Sequence, residues 1–230
     1  ITEIATHYHA TARKSKQPQQ FLKAANWYGL YIKNFPTDVK TASMNFLKAE
    51  ALYDGRYYKQ AAEEYEKTDY EYPTHAKSAE AGYAALVSYT AIQKVQPQVY
   101  TGLRQNAIES ALRFIDKFPN DKRIVSVMAK TADELFKARD YLRAASVAEK
   151  LTQKNPRDPK VARTAWVVLG HSHFELNNFE QSEKAYREAL QRVSNKDKDY
   201  RGIYDNLAAS IYKQGEQQRS KGNLAAAVAA

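Results

Sequence analysis

The chain has 230 residues, 43% of them hydrophobic and 27% charged, and its formal net charge at pH 7 is +9. It contains no cysteine, which excludes disulfides, thiolate metal sites and a cysteine nucleophile. With 8 Gly and 7 Pro there is little room for a turn-rich β fold, and no apolar run approaches membrane-spanning length.

The first helical pattern runs from Thr2 to about Lys16, with Ile4, Tyr8 and Thr11 or Ala12 at three- and four-residue spacing. Pro18 sits where a first-turn proline is tolerated. The next predicted helix, about Gln19–Asn34, carries Leu22, Ala25, Trp27, Tyr28 and Tyr31 and stops at Phe35-Pro36. A third holds Phe46, Ala49, Leu52 and Tyr53 and breaks at Asp54-Gly55; a fourth holds Tyr58, Ala61, Ala62 and Tyr65. A fifth extends from about Ser78 to Lys94, and Val95–Gly102 is expected to form an extended turn before a sixth helix containing Ala107, Ala111, Phe114 and Ile115. Two more follow, one with Val125, Met128, Ala132 and Leu135, the other with Tyr141, Ala144, Ala148 and Leu151, joined at Arg139-Asp140. Another pair breaks at Asn177-Asn178. The last begins near Asp197 with Ile203, Leu207 and Tyr212, turns at Gly222-Asn223, and leaves Ala225–Ala230 as the start of an unfinished helix. The start at Ile1 and this ending read as a piece of a longer protein, and no signal peptide is visible.

One ending recurs. Phe35-Pro36, Tyr72-Pro73, Phe118-Pro119 and Asn155-Pro156 each close a helix, at proline intervals of 37, 46 and 37 residues. Twelve residues before each proline lies an alanine: Ala24, Ala61, Ala107 and Ala144. Three residues before three of these stands an aromatic: Phe21, Tyr58 and Tyr141. A small residue lets two helices approach, the ring fills the space beside it, and the proline ends the pair. The pattern predicts helix pairs over about 2–36, 40–73, 77–119, 121–156, 158–193 and 197–230, forming one solenoid domain.

The best-formed copy is Arg163–Leu190, RTAWVVLGHSHFELNNFEQSEKAYREAL. Its Trp166, Leu169-Gly170 and the stripe Phe179, Ser182, Tyr186 and Ala189 resemble a tetratricopeptide repeat. The long units closing in Phe-Pro or Tyr-Pro are similar to bacterial cell-envelope members of that family, such as the outer-membrane lipoprotein of the β-barrel assembly machine and the Tol–Pal accessory protein. The resemblance implies an all-α, right-handed superhelical solenoid of about six helix pairs, the last truncated. It also implies a non-enzymatic scaffold that takes a partner protein or peptide in a concave groove lined by the first helix of each pair. It places the protein at the bacterial periplasm or the periplasmic face of the outer membrane, with the cytoplasm as the alternative.

Mapped from the proline and alanine anchors, the groove candidates are Phe46, Glu50 and Tyr53, then Tyr83 and Val87, then Asp133 and Phe136, then His171 and Phe174. Aromatics with scattered acids suit a peptide held by rigid anchors. The same rings at helical spacing also read as packing between repeats. The family's Lys/Asn clamp for a C-terminal carboxylate has no match here.

Other chemistry finds little support. His7 and His9, and His171 and His173, are pairs two apart, which diverge on a helix, and no third ligand lies near; no metal or cofactor is expected. In each pair one histidine is expected to be buried and one exposed. Glu63, Glu64 and Glu66 read as a solvated face. No phosphate-binding glycine loop, HExxH or GxSxG is present. The net charge makes an anionic polymer, RNA or an envelope polysaccharide or lipid headgroup, the alternative partner. Arg13, Lys14, Lys16, Lys23 and Lys33 are basic, but 50–71 is locally acidic, and base-by-base RNA reading needs residues that recur at one offset, which the groove positions do not.

Overall fold

The computed structural model describes residues 1–223, and those residues form eleven α-helices and no strand. The chain divides into two compact units, Ile1–Asp121 and Lys122–Ala230. The first contains α1 (Thr2–Ser15), α2 (Pro18–Asn34), α3 (Thr41–Asp54), α4 (Tyr58–Tyr70), α5 (Ser78–Val95) and α6 (Pro97–Lys117). The second contains α7 (Ile124–Lys137), α8 (Tyr141–Gln153), α9 (Pro159–Glu175), α10 (Phe179–Leu190) and α11 (Tyr200–Ser220). Within each unit every helix packs on the next in sequence, and α7 also touches α9. This serial packing is that of an all-α repeat fold.

The four expected proline stops all fall between helices. Pro36, Pro73, Pro119 and Pro156 follow the ends of α2, α4, α6 and α8. The corners inside the pairs show the repeat more sharply. At Arg56, Arg139, Asn177 and Gly222 the backbone turns left-handed, with φ of 66°, 61°, 60° and 80°. Each of these residues donates its N–H to the carbonyl three residues back, and its successor donates five residues back: Tyr57 to Leu52, Asp140 to Leu135, Asn178 to His173 and Asn223 to Gln218. This double bond pattern is the Schellman motif, which satisfies carbonyls that a helix end leaves open.

An aromatic pair spans three of the corners. Tyr53 packs on Tyr58, Phe136 on Tyr141 and Phe174 on Phe179, with ring centroids 5.3, 5.3 and 5.4 Å apart. The last ring of one helix thus locks onto the first ring of the next.

The first pair lacks this corner, since Lys16 (φ 55°) donates four residues back to Ala12, and the third departs both from it and from the sequence expectation. Val95–Gly102 is not an extended turn. Helix α5 continues to Val95, only Gln96 breaks the chain, and α6 starts at Pro97. Proline at the first position of a helix loses no hydrogen bond, so the ring starts the helix rather than delaying it. The extra length of the unit lies in both of its helices, with 18 residues in α5 and 21 in α6.

The alanine anchors are buried where expected, with one exception. Ala24, Ala61 and Ala144 are 0% exposed, while Ala107 is only half-buried and α6 instead buries Ile108, Ala111, Phe114 and Ile115. Large rings fill the spaces these small residues leave. Tyr28, Tyr186 and Phe114 are fully buried, each contributing roughly 1.5–3 kcal/mol of apolar burial.

Buried polar groups tie neighbouring helices. Asn45 of α3 donates its side-chain amide to the Glu64 carbonyl at 2.8 Å and to Thr68 Oγ1 at 2.9 Å. Asp69 of α4, fully buried, accepts from Lys117 Nζ of α6 at 2.8 Å. In the second unit Ser182 Oγ donates to the Gly170 carbonyl at 2.9 Å and lies 2.9 Å from Ser210 Oγ. Glu63 is solvent-exposed, but Glu64 and Glu66 are not the solvated residues that the sequence suggested. Glu64 pairs with Lys48, and Glu66 pairs with Arg113 at 3.2 Å. A neighbouring helix supplies a cation to each, so both are half-buried. The second helix of the last expected pair, at 225–230, lies outside the described residues.

Candidate partner-binding face

The groove candidates lie on α3, α5, α7 and α9, the first helices of their pairs. One of the nine is misplaced. Phe46 is 5% exposed and belongs to the core of the first unit, edge-on to Tyr65 at 5.6 Å with Lys77 Nζ 5.3 Å from its ring. It faces α4 because the repeat needs a large side chain there against the second helix. The other eight are half-buried.

In the first unit, three of the half-buried candidates are apolar or aromatic. Tyr53 rests on Tyr58, Tyr83 lies 6.2 Å from Phe114, and Val87 is partly open. The fourth is Glu50. Its carboxyl is held above the ordinary carboxylate range, first by burial; the charges of Arg13, Asp54, Glu80 and Lys77 also act on it, the acids raising and the bases lowering its pKa. Two of these acids have cations of their own: Asp54 Oδ2 lies 3.4 Å from Arg13 Nε, and Glu80 Oε2 lies 2.7 Å from Lys77 Nζ. Among the described residues no hydrogen bond or ion pair reaches the Glu50 carboxylate.

Behind Asp54 stands His9. It is 5% exposed, its Nδ1 is 3.4 Å from Tyr28 Oη, and its Nε2 is 3.8 Å from Asp54 Oδ2 without a hydrogen-bond partner. Burial depresses its pKa, with Arg13 adding to the effect and Asp54 opposing it. His7 is exposed, as expected for the first His pair. Sequence reasoning did not connect His9, Arg13 and Asp54 with Glu50. The spacing of Glu50 and Asp54 by one helical turn was legible, but only the packing brings α1 to α3.

In the second unit α7 and α9 carry the face. Phe136 lies 5.6 Å from His171, and Asp133 is paired with Lys137 at 2.6 Å. His171 Nδ1 is 2.6 Å from Tyr186 Oη, and burial lowers the pKa of the imidazole. The second His pair does not divide as expected, since His171 and His173 are both half-buried. The helix lies between α7, α8 and α10, and both sides of this turn meet neighbours. Past Phe174 an open cavity of about 420 Å³ is lined by Phe174, Phe179, Asn177, Lys213 and Glu216.

Among the described residues no group of three or more His, Asp or Glu side chains could hold a metal, and no helix is long and apolar enough to cross a membrane. No family model and no curated protein matches the chain. A solved structure that it is similar to is the crystal structure of BtubC (BKLC) from P. vanneervenii, with a TM-score of 0.43 and 12% identity over 94% of this chain and 87% of that one. A likeness at that level assigns neither family nor function.

Proposed function

We propose that the protein is a non-enzymatic scaffold of the tetratricopeptide-repeat kind, binding a partner protein or peptide on the faces that its first helices present in each unit. One observation carries the reading. The first helices present half-buried rings that are held by neighbours and still partly accessible: Tyr53, Phe136 and Phe174 pinned at the corners, Tyr83 against Phe114 and His171 against Tyr186, with Glu50 beside Tyr53. A ring held by its neighbours loses little entropy when a peptide docks on it. The repeated Schellman corners and the Trp166 and Leu169-Gly170 pattern support the family assignment. The same sequence resemblance carries the placement in the bacterial envelope; fractionation that leaves the native protein with the cytoplasm refutes that part alone.

The binding reading is tested by selecting peptides from a random 12-residue library on the full chain. Selected peptides should lose binding to a Val87→Glu or a Phe136→Ala chain, according to the unit they use, and keep it on a Leu142→Glu chain, whose substitution lies on an exposed second-helix position. Peptides insensitive to the first two changes, or a chain that retains only RNA and releases it steeply with salt, would refute the scaffold.

A further inference from the structure

Resting on that reading, we infer that the α1–α3–α5 face of the first unit is a specificity site for an arginine or lysine of the bound partner, with Glu50 as the carboxylate that receives it. Three carboxylates, Glu50, Asp54 and Glu80, meet here with two cations, Arg13 and Lys77. The cations are bound to Asp54 and Glu80, which leaves Glu50 half-buried with no cation in contact. A carboxylate in that position loses hydration and gains no pairing in return, and a partner's cation supplies what is missing.

A second, independent feature points the same way. His9 is 5% exposed, and its unpartnered Nε2 is directed at Asp54 from 3.8 Å. The opposite ring nitrogen meets buried Tyr28, so the imidazole is fixed from behind. Asp54 is therefore held between a buried ring that does not bond it and an Arg13 whose side chain is 58% exposed. A partner guanidinium, with five N–H donors in a planar fork, can reach Glu50 and Asp54 together, since residues four apart on a helix share a face. Arg13 is free to swing into solvent, and the Asp54 carboxylate is then free to close the gap to His9.

The surrounding charge selects the ligand's sign. The chain as a whole carries +9, which disfavours indiscriminate attraction of basic peptides, so a basic residue that binds must find this local acidic site. Aromatic Tyr53 beside Glu50 gives the stem of such a side chain an apolar wall.

The test uses the full chain and two pools of nine-residue peptides, randomised except for a central arginine in one and its uncharged isostere citrulline in the other. The arginine pool should bind at least tenfold tighter. Glu50→Gln should remove that difference, the exposed Glu63→Gln should leave it, and the His9 imidazole resonances should shift only with the arginine pool. Circular dichroism checks that Glu50→Gln folds, and Asp54→Asn serves as a second variant. Equal binding of both pools, with binding still lost in Val87→Glu, overturns the basic-residue site and leaves the scaffold standing. Binding of neither pool overturns both.

Discussion

Replacing Gly170 with alanine sets a gain of helix propensity against a loss of packing, and the structure decides which is larger. Alanine in a helix interior is favoured over glycine by about 1 kcal/mol. At Gly170 of α9, however, a Cβ would lie 2.8 Å from Tyr186 Cε1 and 3.0 Å from Cδ1 and Cζ. Tyr186 cannot yield easily. It is 1% exposed and its hydroxyl is bonded to His171 at 2.6 Å. Overpacking of this kind costs ~1–3 kcal/mol, and displacing the hydroxyl adds ~1 kcal/mol. The net expectation is a destabilisation of about 1–3 kcal/mol, confined to the second unit. Gly102 in α6 is the control, because a Cβ there meets nothing within 4 Å and propensity acts alone. Gly102→Ala should stabilise the first unit by about 0.5–1 kcal/mol. The two tryptophans separate the readouts. Trp166 packs on the cluster containing Tyr186, and Trp27 stacks on Tyr8 in the first unit. Urea unfolding followed by fluorescence in Trp27→Phe and Trp166→Phe backgrounds reads each unit in turn. Stabilisation by both alanines would refute the close-contact argument and leave propensity as the whole explanation.

Other substitutions probe the polar ties. Lys117→Met strands the fully buried Asp69 without its cation and should cost about 3 kcal/mol in denaturant unfolding; adding Asp69→Asn should recover most of it, and no recovery would mean the pair is not what matters. Asn45→Ala removes two buried hydrogen bonds between α3 and α4 and should cost about 2 kcal/mol, read by Trp27 rather than Trp166. Burial lowers the pKa of His9, His171 and His173 below the ordinary 6.5, so the unfolded chain takes up protons first as pH falls. Their contribution is complete above pH 6.5 and is lost below it, where melting temperature should start to drop. Glu50 and Asp69, raised by burial, act with the opposite sign at lower pH: their contribution is lost as pH rises through their raised values. A melting temperature that climbs steadily from pH 7.5 to 6 would contradict the histidine assignment.

The helices, and most of their ends, follow from local chemistry along the chain. The prolines at 36, 73, 119 and 156 break the backbone hydrogen-bond ladder whatever surrounds them, and the structure places all four between helices. Pro97 misled for the same reason turned round: a ring without an N–H is as good at starting a helix as at stopping one, and local sequence does not say which. Which side chains meet was decided by tertiary structure. Phe46 and Tyr53 stand two turns apart on α3 and both meet α4, at Tyr65 and Tyr58, yet Phe46 is in the core and Tyr53 stays partly open at the corner where α4 begins. The isolation of Glu50 is likewise a matter of packing. Arg13 and Lys77 lie 37 and 27 residues away in sequence. Lys77 meets Glu80 three residues on, a pair legible along the chain, but only the stacking of helices binds Arg13 to Asp54 and leaves Glu50 without a cation. Backbone breaks are local chemistry and can be read along the chain, whereas the pairing of a charge depends on every helix that reaches it.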